Sequence, residues 1–127
     1  MHARLNDSEW VLLRALWQGA PASVRTIWER THEETGWAYT TVKTLLERLV
    51  EKGAVKSSKA GNAWLYQPLV SRKSARHQAL RALLTRAFDG TLGSLVHHMV
   101  HEERLSPRDR RALREILRSE GAEGDAQ

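Results

Sequence analysis

Residues 37–53 read Trp-Ala-Tyr-Thr-Thr-Val-Lys-Thr-Leu-Leu-Glu-Arg-Leu-Val-Glu-Lys-Gly, and the predicted fold is built around this segment. Its apolar residues recur at helical spacing and form one stripe, Val42, Leu45, Leu46, Leu49 and Val50. The opposite face is rich in hydroxyl groups and basic toward its start, with Thr40, Thr41, Lys43, Thr44, Glu47 and Arg48. Threonine and lysine donate hydrogen bonds to base edges and phosphates, so the pattern predicts a helix that fits a major groove. Gly53 stands where a left-handed residue ends such a helix. An ordinary amphipathic surface helix has the same pattern, and the flanking segments decide between the two.

Two further helices are predicted before this one. Asn6 and Glu9 have the spacing of a capping box, and the helix that follows is apolar on so many sides that it should be buried. Gly19-Ala20-Pro21 breaks that helix, and Ser23 caps a second one that ends near Gly36. Three short helices with tight connections, the third polar on its outer face, match the helix-turn-helix arrangement.

Two strand-like segments follow, residues 54–59 and 63–67, joined through Ala60-Gly61-Asn62. A β-hairpin directly behind a recognition helix is a wing, and a purely structural hairpin is the alternative. The residues near its tip that could touch phosphate or minor groove are Lys56, Lys59 and Asn62. Four tryptophans lie on apolar faces and are assigned to the core rather than to base stacking: Trp10, Trp17, Trp28 and Trp64.

From Ser71 onward the sequence predicts three amphipathic helices, over about 72–88, from about Thr91, and after the cap Ser106-Pro107. These helices have no sheet of their own and cannot all cover their apolar faces within residues 71–120. A second copy of the chain is the simplest cover. The predicted dimerisation residues are Leu80, Leu83, Leu84, Phe88, Leu92, Leu95, Val96, Met99, Leu113, Ile116 and Leu117.

Composition narrows the class of protein. The formal net charge of +5 favours an anionic partner, and the absence of cysteine excludes disulfides, thiolate metal sites and cysteine nucleophiles. The sequence has no apolar signal core and no run of membrane-spanning length, so we expect a cytoplasmic protein without membrane insertion. It also lacks a glycine-rich phosphate loop and a Gly-x-Ser-x-Gly elbow, so we expect neither an enzyme nor a cofactor.

Three histidines, His97, His98 and His101, are predicted to share one helix face. We interpret them as part of a solvated polar face and therefore expect no metal. The alternative is a regulatory zinc, copper or nickel site, completed by Glu102 or by a residue of a partner chain.

Several motifs together resemble one known family. They are Ser8-Glu9-Trp10, Leu16-Trp17, Trp37, the run from Thr41 to Leu49, Lys52-Gly53-Ala54, Tyr66-Gln67-Pro68, and the run from Gly90 to Val96. Over residues 5–118 the chain resembles the penicillinase-repressor (BlaI/MecI-type) family of bacterial winged-helix regulators. The resemblance implies a homodimer that binds a palindromic DNA operator and represses resistance or stress genes.

The resemblance also implies a route of induction. In penicillinase repressors a membrane-linked sensor protease system leads to cutting within the fifth helix, and the bond that aligns here is His98-Met99. The family has Asn-Phe at that bond, so this substitution leaves the induction mechanism open. Ala38-Tyr39 replaces the usual Ser-Pro and removes a capping side chain from the third helix. The absence of cysteine argues against the copper-responsive relatives.

The predicted fold is mainly α with a small β-hairpin wing. A winged-helix DNA-binding domain (1–70) is followed by a helical dimerisation domain (71–120) and a disordered tail (121–127). We expect Thr41, Lys43 and Thr44 to contact bases, and Tyr39, Thr40 and Arg48 to lie nearer the DNA backbone. The alternatives are a winged-helix module that binds another protein, and a metal-responsive regulator that uses the three histidines.

Overall fold

The computed structural model describes residues 4–102 and 105–125, which contain six helices and three strands. In chain order the elements are α1 (Asp7–Gln18), β1 (Ala22–Ser23), α2 (Val24–Thr35), α3 (Tyr39–Glu51), β2 (Val55–Ala60), β3 (Ala63–Pro68), α4 (Arg72–Ala87), α5 (Leu92–His101) and α6 (Pro107–Asp125). The predicted fold class, mainly α with a hairpin wing, is confirmed.

The capping box at the start of α1 forms as predicted. The Asn6 side chain accepts a hydrogen bond from the backbone N–H of Glu9, and Glu9 Oε1 accepts one from the backbone N–H of Asn6, each at 2.9 Å. Leu12, Leu13 and Leu16 are fully buried on this helix. A helix that buries so much of its circumference lies between other elements, as its sequence indicated.

The ends of α2 and α3 also follow the sequence. Ser23 Oγ accepts a hydrogen bond from the backbone N–H of Thr26 at 3.2 Å, and Gly36 ends α2 in the left-handed conformation with φ of 65°. At the start of α3, Ala38 contributes no side-chain cap, as its difference from the family pattern predicted. Gly53 follows α3 with φ of 81°.

The sheet contains a strand that the sequence reasoning missed. β2 and β3 form the predicted hairpin around Gly61-Asn62, with Ala60 paired to Ala63. β1 pairs antiparallel with β3, so the strand order is β1-β3-β2. Strand β1 has only two residues, which is too short to show an alternation of apolar and polar side chains. The strand can therefore be identified only from its pairing with β3. It fixes the connection between α1 and α2 to the base of the wing.

The core of the N-terminal part lies among α1, α2, α3 and the inner half of the sheet. Its buried residues are Leu12, Leu13, Ala15, Leu16, Ala22, Val24, Ile27, Val42, Leu46, Leu49, Ala54, Val55, Tyr66, Val70 and Ala75. Trp10, Trp17 and Trp28 pack half-buried against this core, which confirms their assignment. The assignment of Trp64 was wrong, because 51% of its surface is exposed. Exposure rises along the hairpin toward its turn, so the outer half of the wing extends beyond the core.

The contacts of the chain define two compact units, Met1–Ala79 and Leu80–Gln127. The sequence-based boundary after residue 70 falls just before α4, whereas Ala75 of α4 is buried in the N-terminal core. The indole Nε1 of Trp17 also donates a hydrogen bond to the carbonyl of Val70 at 3.0 Å.

The helices of the second unit have local caps. Thr91 Oγ1 accepts from the backbone N–H of Ser94 at 3.3 Å, and Ser106 Oγ accepts from that of Asp109 at 3.0 Å. Helix α6 continues to Asp125, so residues 121–125 are helical where the sequence predicted a disordered tail, and residues 126–127 lie outside the described part. Extending an existing helix is easier than nucleating one, which explains the difference.

Among the described residues, no helix combines the length and the apolar character needed to cross a membrane.

Candidate nucleic-acid interface

Helix α3 buries one face and exposes the other. Val42, Leu46 and Leu49 have no exposed surface. Because a helical turn takes about 3.6 residues, Thr40 and Thr44 lie opposite this buried stripe. All the predicted contact residues of this helix are exposed, namely Tyr39, Thr40, Thr41, Lys43, Thr44 and Arg48. The helix is therefore held by one side and presents the other to a partner.

A shallow hollow lies on the exposed face. It is lined by Thr40, Thr41, Thr44, Leu45 and Arg48. Four of these were predicted DNA contacts, and the structure brings them together. Leu45 was assigned to the buried stripe, but it is only half-buried. Its spacing, four residues after Thr41 and three before Arg48, was the signal that could have placed it here. Hydroxyl groups beside methyl groups suit base edges and thymine methyls.

Lys43 lies on a different flank of α3. It is one turn from Tyr39 and one turn from Glu47. Burial raises the pKa of the Tyr66 phenol on β3, and the nearby Glu47 and Tyr39 add to the rise. This flank of α3 therefore faces β3, and Lys43 lies outside the hollow, on the wing side of the recognition helix.

The wing residues do not form a single patch. Lys56 pairs with Gln67 and Lys59 pairs with Trp64, so the two lysines, three residues apart, project from opposite faces of the hairpin. Asn62 lies in the turn, and all three predicted wing contacts are exposed. The structure brings Lys59 and Asn62 near the tip and places Lys56 nearer the base, on the other face.

Hydrogen bonds fix the entry to α3. Trp28 Nε1 donates to the carbonyl of Trp37 at 2.9 Å, and the backbone N–H of Trp37 donates to Thr35 Oγ1 at 3.1 Å. Trp37 packs half-buried against the core. These bonds link the end of α2 to the start of the recognition helix, and the sequence reasoning did not anticipate them.

The charge distribution adds a signal that the sequence reasoning missed. Between residues 52 and 88 the chain contains no Asp or Glu, and it contains eight basic residues: Lys52, Lys56, Lys59, Arg72, Lys73, Arg76, Arg81 and Arg86. A stretch that carries only positive charge raises the local concentration of an anionic partner. The wing lies inside this stretch and directly follows α3 in the chain, so two of these charges, those of Lys56 and Lys59, lie on the hairpin next to the recognition helix.

Comparison with known proteins decides the family. The model of the family described as "Penicillinase repressor" matches residues 5–119. The chain belongs to the penicillinase repressor family. This is a family of DNA-binding transcriptional repressors, so the expectation that the chain is not an enzyme is confirmed.

Relatives within the penicillinase repressor family match most of the chain. It is 27% identical to the methicillin resistance regulatory protein MecI of Mammaliicoccus sciuri over 89% of this chain and 92% of the relative. It is 25% identical to the penicillinase repressor of Bacillus licheniformis over 90% of this chain and 89% of the relative. The N-terminal fold resembles the Bacillus licheniformis BlaI monomer in complex with the blaP half-operator, with a TM-score of 0.52 and 22% identity over 58% of this chain and 90% of that one.

The C-terminal helices of this penicillinase repressor family member carry the residues predicted to form a dimer. Those that are exposed in the single chain are Leu80, Leu83, Leu92, Val96, Leu113, Ile116 and Leu117. Phe88, Leu95 and Met99 are half-buried. Leu84, predicted on the same stripe, is 1% exposed and is therefore already covered within the chain. The exposed residues of this set are large apolar side chains without a cover in the described part of one chain.

The three histidines of α5 do not converge. The His98 ring packs edge-on against Phe88, with centroids 5.8 Å apart, while His97 and His101 lie 4.3 Å apart. In residues 4–102 and 105–125, no group of three or more histidine or acidic side chains could hold a metal ion. The His98-Met99 bond lies within α5.

Proposed function

We propose that this repressor binds a palindromic DNA operator as a homodimer, with α3 in the major groove and the wing against the neighbouring DNA backbone. The observation that carries the proposal is the division of α3 into a fully buried face and an exposed face. The exposed face holds threonines, Arg48 and Lys43. A helix fixed in this way can present its side chains to base edges without a large loss of conformational entropy.

We assign base contacts to Thr41, Lys43 and Thr44. Contacts to the DNA backbone are assigned to Tyr39, Thr40, Arg48, Lys56, Lys59 and Asn62. The separation of Lys43 from the hollow suggests that α3 reads two parts of a half-site. The hydroxyl groups would read one part and Lys43 the other, on the wing side. The solved BlaI monomer on a half-operator supports the assignment of one winged helix to each half-site.

The apolar surface of α4–α6 supports the homodimer. Two copies related by a two-fold axis would cover each other's leucines and present two recognition helices on one face of the duplex. By analogy with the methicillin resistance regulator and the penicillinase repressor, the regulated genes would serve resistance or stress responses. Such a repressor works in the cytoplasm, and a membrane-linked sensor protease system that leads to cutting at His98-Met99 is the candidate route of induction.

Selection from a random duplex library, followed by titration at several salt concentrations, tests the proposal. DNA binding through several phosphates falls steeply as salt rises, because each neutralised phosphate releases counterions. We expect a selected palindrome and a steep negative slope of log affinity against log salt. Failure to select any duplex would contradict the proposal and would favour a winged helix that binds protein.

A further inference from the structure

Trp64 is the exposed aromatic side chain of the wing. Half of its surface is open to solvent, while the other four tryptophans pack half-buried against the N-terminal core. The hydrophobic contribution of a side chain to folding scales with the apolar area that it removes from water, so the exposed part of this ring contributes little. The ring is therefore available to a partner.

The register of the hairpin fixes where the ring lies. Trp64 pairs with Lys59, one pair away from the last pair before the turn. Alternate residues of a strand share a face, so Trp64 lies on the same face as the buried Tyr66. Near its base this face packs toward α3, where Tyr39 and Glu47 lie close to Tyr66. Trp64 continues the same face outward, beyond the core and toward the tip of the wing.

The chemistry around Trp64 selects the kind of partner. Lys59 Nζ lies 6.0 Å from the centroid of the indole ring, at the outer limit of a cation–π contact, and both side chains are exposed. Between Ala54 and Leu69 the chain has two lysines and no Asp or Glu. An aromatic ring beside an ammonium group, without a carboxylate, suits a partner in which apolar and anionic groups alternate. The deoxyribose rings and phosphates of DNA alternate in this way.

We propose that the indole of Trp64 packs against a deoxyribose at the edge of the minor groove while Lys59 binds the adjacent phosphate. The inference rests on the proposed function and adds to it a contact that does not depend on base sequence. Packing on a sugar neutralises no phosphate, so the indole should strengthen binding without changing its salt dependence. The ammonium of Lys59 should change both the affinity and its salt dependence.

Titrations of variants at several salt concentrations separate the two side chains. The probes are the duplex selected by the wild-type protein and a scrambled duplex of the same composition. Trp64→Ala should bind both duplexes about tenfold more weakly with the wild-type salt slope, because the apolar area that the indole buries on the sugar is lost. Trp64→Phe should lose less affinity for both duplexes than Trp64→Ala. Lys59→Ala should reduce the magnitude of the slope by about one.

Two controls exclude a structural cause. Leu69→Ala removes another exposed apolar side chain, at the base of the hairpin, and should leave the affinity unchanged. Thermal unfolding should show that Trp64→Ala is still folded at the temperature of the titrations, because only half of this side chain is covered in the wild type. The difference in fluorescence between the wild type and Trp64→Phe reports on Trp64, and the selected duplex should quench or shift it.

Wild-type affinity for both duplexes in Trp64→Ala would overturn the contact and leave the proposed function standing. A fluorescence difference that the duplex does not alter would also overturn it. A wild-type protein that selects no duplex from the random library would overturn the proposed function and this contact together.

Discussion

The Nζ atom of Lys52 lies 2.6 Å from Oε1 of Glu9, which joins the end of the recognition helix to the capping box of α1. The Glu9 side chain is 3% exposed and that of Lys52 is 31% exposed. The same carboxylate oxygen accepts the backbone N–H of Asn6, and Lys52 also donates to the carbonyl of Arg4 at 3.0 Å. One buried carboxylate therefore accepts a backbone hydrogen bond at the start of α1 and holds the lysine at the end of α3.

Removing the lysine should destabilise the fold. Lys52→Met leaves the buried Glu9 carboxylate without its counterion, and we expect the free energy of unfolding to fall by about 3 kcal/mol. Urea denaturation at neutral pH measures the change. Lys56→Met, at an exposed lysine, is the matched control and should change stability by less than about 0.5 kcal/mol. Adding Glu9→Gln to Lys52→Met should recover part of the loss, and equal stability of the two lysine variants would contradict the role of this pair.

Tyr66 should give the stability a pH dependence in the alkaline range. Burial raises the pKa of its phenol above the ordinary value of 10.0, with Glu47 and Tyr39 adding to the rise. The unfolded chain loses this proton at a lower pH than the folded chain. The contribution to stability is therefore intact below the unfolded pKa and is lost as pH rises toward the folded pKa. Denaturation at several values between about pH 9 and pH 11 should show a steeper fall for the wild type than for Tyr66→Phe. Parallel profiles would show that the phenol is not responsible.

Two lysines should differ in how they affect DNA binding. Lys43→Ala should weaken binding to the selected duplex by roughly 1–3 kcal/mol while affecting a scrambled duplex much less, because its side chain is assigned to a base. Lys59→Ala should weaken binding to both duplexes by similar amounts, because it is assigned to a phosphate. Gel-shift titrations on the two duplexes provide the comparison. If Lys43→Ala weakens binding to the selected and the scrambled duplex equally, Lys43 does not read a base.

A charge on the exposed apolar surface of α6 should separate the dimer. Leu117 is 70% exposed in the single chain, so Leu117→Asp should leave the fold intact and disfavour association. Tight binding to the palindrome should also be lost, because each half-site is then held alone. Light scattering gives the oligomeric state. Ser119→Asp places the same charge on another face of α6 and should remain dimeric. A wild-type monomer at micromolar concentration would refute the dimer.

Metal ions should not release the repressor from DNA. His98 packs against Phe88 and is separated from the pair formed by His97 and His101, so the three imidazoles offer no common site. We expect the operator complex to survive added zinc, copper or nickel in the wild type and in His97→Ala/His101→Ala alike. Release in the wild type alone would identify a metal sensor and contradict this prediction.

The sequence predicted those features that depend on neighbouring residues. The capping box of Asn6 and Glu9, the Ser23 cap and the glycine after α3 each join residues within a few positions of one another, so their pattern is legible along the chain. The buried and exposed faces of α3 follow from helical periodicity for the same reason. The stretch without acidic residues between 52 and 88 was equally available in the sequence, and it strengthens the assignment to an anionic partner.

The remaining features depend on contacts between residues that are far apart in the sequence, or on where the core ends. Glu9 and Lys52 are 43 residues apart, and no local pattern pairs them. Strand β1 exists because β3 lies beside it, and Trp64 is exposed because the hairpin extends past the core that buries Tyr66. Periodicity tells which face of an element is apolar, whereas the place where the core ends depends on how the elements pack. Trp64 lies outside the core and Leu84 lies inside the chain, although the sequence pattern did not distinguish either residue from the others on its apolar face.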